Sequence, residues 1–268
     1  MGISKRIDLA RKAFRGKNLD NAAEAHQIHR IQRQPEEEHA GESSLYLGDF
    51  VYGGLDGIIT TFAVVSGVAG AELGSNVILI LGLANLFADG FSMATGAYLS
   101  SKSEKEYYQR EFEREMWEVE HFPEAEQAEL FEIYVNRGYL NEEARQLVDI
   151  HGRNSKRLVN AMMIDELSLL KDDKKPIYSG IATLMAFILA GVVPLLVYLL
   201  GLLLPISGDI AFPVSIALSG IALFSLGAAK VLVTQLNGLR SGVEMLLVGG
   251  LAAGVAYGVG WLLRGMGF

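Results

Sequence analysis

Cysteine is absent from the 268-residue chain, which excludes a disulfide framework, a thiolate metal site and a cysteine nucleophile. A surplus of positive charge is also lacking. The formal net charge is −8, so the chain offers no basic face to nucleic-acid phosphates and no nucleic-acid partner is expected. There is no Ser/His/Asp arrangement and no phosphate-binding loop, so the chain does not read as an enzyme. Charge itself is missing from long stretches. Gly57–Ala71 is 15 residues without a charged side chain, Ile177–Gly208 is 32, Ile210–Ala229 is 20 and Met245–Leu263 is 19. By contrast Ser101–Pro176 carries 12 Lys+Arg and 18 Asp+Glu. A span across a bilayer takes about 20 apolar residues, so this segregation excludes a single soluble globule.

Five spans can be drawn, at about Gly48–Ala71, Val77–Ser100, Ile177–Leu200, Ile210–Lys230 and Gly242–Leu263. Strand alternation is missing, and lipid admits only helices and closed barrels, so all five read as helices. The fold class is an all-α membrane protein. A leader (1–44) is followed by two spans (45–100), a charged helical insert (101–176) and three further spans (177–268). The leader is charged and the first apolar segment lies about 45 residues in, which does not fit a cleavable signal peptide. Lys and Arg number eight in the leader and twelve in the insert, with Lys230 and Arg240 between the fourth and fifth spans; the opposite side has Arg264 alone. The positive-inside rule puts the leader and insert in the cytoplasm and the C-terminus outside. Without a targeting signal, a prokaryotic plasma membrane is expected rather than a vacuole. Gly250, Gly254 and Gly258 make a smooth stripe on the last span, as do Gly53/Gly57 and Ser66/Gly70 on the first. Internal packing is the favoured reading of the last stripe, with a dimer contact as the alternative. Pro194 and Pro205 should kink or end the third span.

Carboxylates sit inside the first two spans. Asp49 and Asp56 are seven residues apart and share a face; Asn85, Asp89 and Met93 repeat every four residues on the next helix. A charge at mid-bilayer costs about 3 kcal/mol even on lenient scales, so such groups face a wet cavity, a partner or an ion. A cation path lined by Asp56, Asn85, Asp89 and Met93 follows as an expectation. Against it stands a structural role for Asp56, accepting from Thr60 or a tyrosine. Asp49, near the boundary, fits either role.

In the insert the second span should continue as one helix to His121, with Pro123 ending it. A second helix fits Glu124–Arg137 and stops at Gly138. Asn141 can cap a third, which breaks at His151-Gly152, restarts at Asn154 and runs to about Leu170. Glu111, Glu115 and Glu118 share one face; Glu126 and Glu129 are three apart on the next helix; Met162, Met163 and Glu166 lie on the last. Stacked carboxylates repel, and a cation held between helices relieves that. Carboxylates alone suit magnesium, calcium or manganese, while thioether sulfur shifts preference towards ferrous iron. Interleaved Lys105, Arg110 and Arg114 also permit a solvated, salt-bridged surface, and Met162-Met163 also fit a core. Glu118-x-x-His121 and Glu36-x-x-His39 match the spacing of di-iron carboxylate sites, which need two such helices in a buried bundle. His26 and His29 read as leader residues with an option of transient metal binding.

Several stretches resemble the vacuolar iron transporter family: "YGGLDGIITTFAVVSGVAG", "LANLFADGFSMATGAYLSSKSEKEYY", "EREMWEVEHFPEAEQAEL", "NAMMIDEL" and "AGVVPLLVYLL". The resemblance runs from about Leu45 to Phe268. It implies five membrane helices, a homodimer and a three-helix cytoplasmic metal-binding domain between the second and third. It also implies exchange of ferrous iron, sometimes manganese, for protons, moving the metal out of the cytosol. The family's first-span aspartate corresponds to Asp56 and its second-span methionine to Met93. Its cytoplasmic ligands correspond to Glu115, Glu118, Glu126, Glu129, Met162, Met163 and Glu166; Glu111 and His121 stand at the edge of that set. One position departs: the family's second-span glutamate is Asn85 here, and Asp89, one turn on, reads as a relocated carboxylate. The expected function is a divalent-cation/proton antiporter with Fe2+ as cargo, Mn2+, Co2+ and Zn2+ as further candidates, and no prosthetic group. The rivals are a membrane-mounted ferritin-like iron oxidase or store, and a metal-binding scaffold without transport.

Overall fold

A computed structural model describes residues 9–10, 13–14, 16–26, 45–229 and 237–266. The described residues are helical with no strand. A short helix, α1 (Leu19–Ala25), is capped by the Asn18 side chain accepting from Asn21 N–H. Among the described residues, five helical stretches are long and apolar enough to cross a membrane. They are α2 (Leu47–Gly70), the first part of α3 (Ser75–His121), α7 with α8 (Pro176–Gly191 and Leu196–Leu200), α9 (Gly208–Ala229) and α10 (Gly238–Gly265). This is a multi-pass membrane protein. The fourth span ends at Ala229; Lys230 lies outside the described residues.

The chain divides into two compact units, Tyr98–Pro176 and the remainder. In the membrane unit α10 packs along α2 and α9. The α2 contacts are close because glycine lets backbones approach. A Cβ on Gly53 would lie 2.6 Å from the Thr183 carbonyl, and one on Gly57 would collide with the Phe187 carbonyl. Gly250, Gly254 and Gly258 behave differently from the packing expected of them. Nothing lies within 4 Å of a Cβ built on any of the three, and Gly250 and Gly254 instead line an apolar cavity with Phe62, Phe212 and Leu223. Pro194 breaks the third span as its missing N–H requires: α7 stops at Gly191, a 3-10 turn covers Val193–Leu195, and α8 resumes. The Pro194 carbonyl accepts from the buried Ser215 hydroxyl of α9 at 2.7 Å, which satisfies a polar group inside the apolar bundle.

In the second unit α3 continues unbroken to His121. Pro123 then opens α4 (Pro123–Asn136), at the first helical position where a missing N–H costs nothing. Gly138, at φ +96°, lets the chain turn after α4. The next helix, α5 (Asn141–Gly152), differs from expectation at its start. Asn141 is its first helical residue, and Glu143 reaches back to accept from the Leu140 N–H at 2.9 Å. Asn154 does cap α6 (Ser155–Ala161), accepting from Arg157 N–H. The last helix closes earlier than Leu170, in a π turn over Met162–Glu166. The core of this unit is Val119, Leu130, Tyr134, Val148, Leu158 and Val159 with Met162 and Met163.

Candidate metal centre

Three elements each bring one glutamate to a common point. Glu115 comes from α3, Glu126 from α4 and Glu166 from the π turn; one carboxylate oxygen of each lies within 4.8 Å of the others. Glu115 is 1% exposed and Glu126 6%, and both Glu115 oxygens and Oε2 of Glu126 have no hydrogen-bond partner among the described residues. Native interiors leave few polar atoms orphaned, and carboxylates are the costliest to leave so. Burial, followed by the Glu166 charge, pushes Glu115 up to about 7. Burial, followed by the Glu129 charge, pushes Glu126 up to about 7. Glu166 is raised by burial and by Glu129. Glu115 and Glu126 bind protons near neutrality, and the three glutamates offer three oxygens to a cation once deprotonated. All-oxygen donors of this charge suit a divalent ion.

The rest of the expected set divides. Glu118 faces this cluster, but its carboxylate accepts from Arg114 at 2.7 Å. Glu129 lines a cavity of about 420 Å³ with Glu132 and Glu166. Met162 and Met163 are buried in the unit's apolar core. Glu111 pairs with Arg114 and Arg110. His121 is engaged elsewhere: its Nδ1 lies 2.8 Å from the Trp117 carbonyl and its ring stacks on the Trp117 indole at 4.5 Å. His26 is exposed, with Nδ1 2.8 Å from the Ala22 carbonyl. His29 and the Glu36/His39 pair lie outside the described residues.

In the membrane unit Asp56, Asp89 and Met93 are half-buried, and the two aspartates lie within electrostatic reach of each other. The Thr60 hydroxyl donates to the Asp56 main-chain carbonyl at 2.9 Å, not to its carboxylate. One oxygen of Asp49 and the side-chain NH2 of Asn85 are buried without a partner among the described residues.

The VIT family model matches residues 47–261. The chain belongs to the vacuolar iron transporter (VIT) family. It is 37% identical to a vacuolar iron transporter of Toxoplasma gondii over 95% of this chain and 87% of the relative. To one of Plasmodium berghei it is 33% identical over 98% of each chain. To vacuolar iron transporter 1 of Arabidopsis thaliana it is 34% identical over 88% of this chain and 96% of the relative.

In this VIT chain the π turn is held by residues that no spacing pointed to. The Tyr134 hydroxyl donates to the Asp165 carboxylate at 3.1 Å. Arg137 donates to that carboxylate and, through its other terminal nitrogen, to the Asp165 main-chain carbonyl at 2.7 Å. Burial and the Asp165 charge push the Tyr134 phenol up to about 12, so it stays a donor. Asp165 immediately precedes Glu166, so this clamp sets where Glu166 points. The only sequence signal was an acid beside a ligand candidate; the pairing across 28 residues had none. Arg137→Gln is expected to cost about 1 kcal/mol of stability, the guanidinium being half-exposed, and to lower divalent-ion affinity about tenfold. Thermal unfolding and an Mn2+ titration check both; unchanged affinity would remove the clamp from the site.

Proposed function

We propose that this chain carries divalent metal ions across a membrane, with ferrous iron as cargo moved out of the cytosol in exchange for protons and manganese as a further cargo. Glu115, Glu126 and Glu166 form the core of the collecting site, with Glu118, Glu129, Met162 and Met163 completing it. Asp56, Asn85, Asp89 and Met93 line the path. The working form is a homodimer with the leader and the acidic unit in the cytoplasm. The observation that carries this reading is the three-glutamate cluster: two of its members are buried, hold carboxylate oxygens without a hydrogen-bond partner among the described residues, and are pushed up to about 7. Such a site takes up a cation by releasing protons, the chemistry that exchange needs. Iron as cargo is supported by the three relatives, each of which is named an iron transporter.

The test is ferrous iron uptake into proteoliposomes with and without an imposed proton gradient, repeated with manganese, cobalt and zinc. Uptake driven by the gradient is expected. Saturable binding without flux would support the scaffold reading instead. Oxygen consumption dependent on Glu118 and His121 would support the oxidase.

A further inference from the structure

A cation-collecting face has no obvious use for an arginine, yet Arg114 sits among its carboxylates. Its Nη2 lies 2.6 Å from Oε1 of the buried Glu115. Its Nη1 donates to Glu118 at 2.7 Å and its Nε to Glu111 at 3.0 Å. The contact to Glu115 is an ion pair without hydrogen-bonding geometry. It is held as a charge contact and not as a directed bond. Glu111 lies outside the three-glutamate cluster, so it anchors the guanidinium from the side. Arg114 is itself 42% exposed, which gives it water to turn towards when it leaves Glu115. It also opposes the carboxylate charge felt at Glu115, Glu126 and Glu166 alike, although these belong to three different elements.

We propose that Arg114 is a tethered internal competitor for the divalent cation. It takes up carboxylate charge that the ion would use and thereby keeps affinity low enough for cargo to leave again. The proposal rests on the reading of Glu115, Glu118, Glu126 and Glu166 as cation ligands. A carrier needs a site that binds well enough to load and weakly enough to unload. One positive charge a few ångströms from a divalent ion, half-screened by water, weakens binding by about tenfold. An ordinary surface ion pair would leave metal affinity unchanged, and a residue that merely orients ligands would weaken binding when lost. The direction of the effect therefore separates the three roles.

The experiment titrates Mn2+ alone into the full-length protein in detergent at pH 8 and fixed salt, reading free Mn2+ by electron paramagnetic resonance. R114Q and R114M both remove the charge; glutamine and methionine are good helix formers and the position is half-exposed, so both are expected to fold. Each should bind Mn2+ about tenfold more tightly than the parent. Release to a chelator should slow by a similar factor, and R114K should stay close to the parent. Equal or weaker binding in the charge-removing variants overturns the proposal. E126Q is the control on the underlying reading. If it binds Mn2+ as tightly as the parent, the metal centre itself is misassigned and the competitor role falls with it.

Discussion

Replacing Glu115 and Glu126 together by glutamine is expected to abolish divalent-ion binding while raising the melting temperature at pH 8. The two effects share one cause. Each carboxylate is buried and its pKa lies at about 7, above an ordinary glutamate's 4.5. A raised acid favours the fold while it is protonated. That stability is fully present below about pH 4.5 and is lost as pH rises through 7. Above pH 7 the ionised pair costs the fold on the order of a few kcal/mol. Glutamine keeps the shape and removes the charge, so the gain in melting temperature should be largest at pH 8 and vanish towards pH 4.5. Metal binding moves the other way. Loss of outer-shell partners alone costs about 10–100-fold in affinity, so loss of two direct oxygen donors should cost more. In the parent protein, Mn2+ affinity should fall steeply as pH drops below about 7, with up to two protons released per ion. A titration in weak buffer that follows proton release together with bound Mn2+ checks the coupling. Affinity that is flat between pH 6 and 8 would separate these glutamates from the cation.

Asp56→Asn is expected to lower ferrous iron flux in proteoliposomes by at least about tenfold, with Mn2+ binding by the acidic unit unchanged. A divalent ion crossing an apolar bundle needs fixed negative charge beside it, and Asp56 and Asp89 lie within electrostatic reach of each other in neighbouring spans. The Asp56 carboxylate receives no bond from Thr60, whose hydroxyl goes to the main chain. That removes Thr60, one of the two kinds of donor the sequence offered for a structural role. Asp89→Asn should show a comparable loss. If Asp89 is the relocated counterpart of a carboxylate at position 85, then Asn85→Glu combined with Asp89→Asn should restore flux. Parent-like transport by Asp56→Asn would move the path elsewhere.

Much of this protein is legible in its sequence. The five spans follow from the cost of charge in lipid, and their limits moved by only a few residues. The unbroken passage of α3 to His121 follows from a run without Gly or Pro, and Pro123 and Gly138 bracket α4 for backbone reasons that hold in any context. Where the reading slipped, the deciding contact was not local. Asn141 was a reasonable cap by type, yet Glu143 supplied the bond. The last helix had no sequence mark for a π turn, because the turn is held by Arg137 and Tyr134 from another helix. The glycine stripe of the last span had the right spacing for internal packing, but spacing does not say which neighbour, if any, lies against it.

By itself the sequence determined the spans, the placement of charge in one insert and the family, because each depends on composition and order along the chain. It also supplied every glutamate of the three-carboxylate cluster. Tertiary structure alone decided which of them meet. Convergence of Glu115, Glu126 and Glu166 depends on how α3, α4 and the π turn pack, which no local spacing encodes. The same packing separates His121 from the cluster and sets Arg114 against it. Whether a carboxylate is a solvated surface group or a buried one at about pKa 7 is a property of its neighbours in space, and only the fold brings those neighbours together.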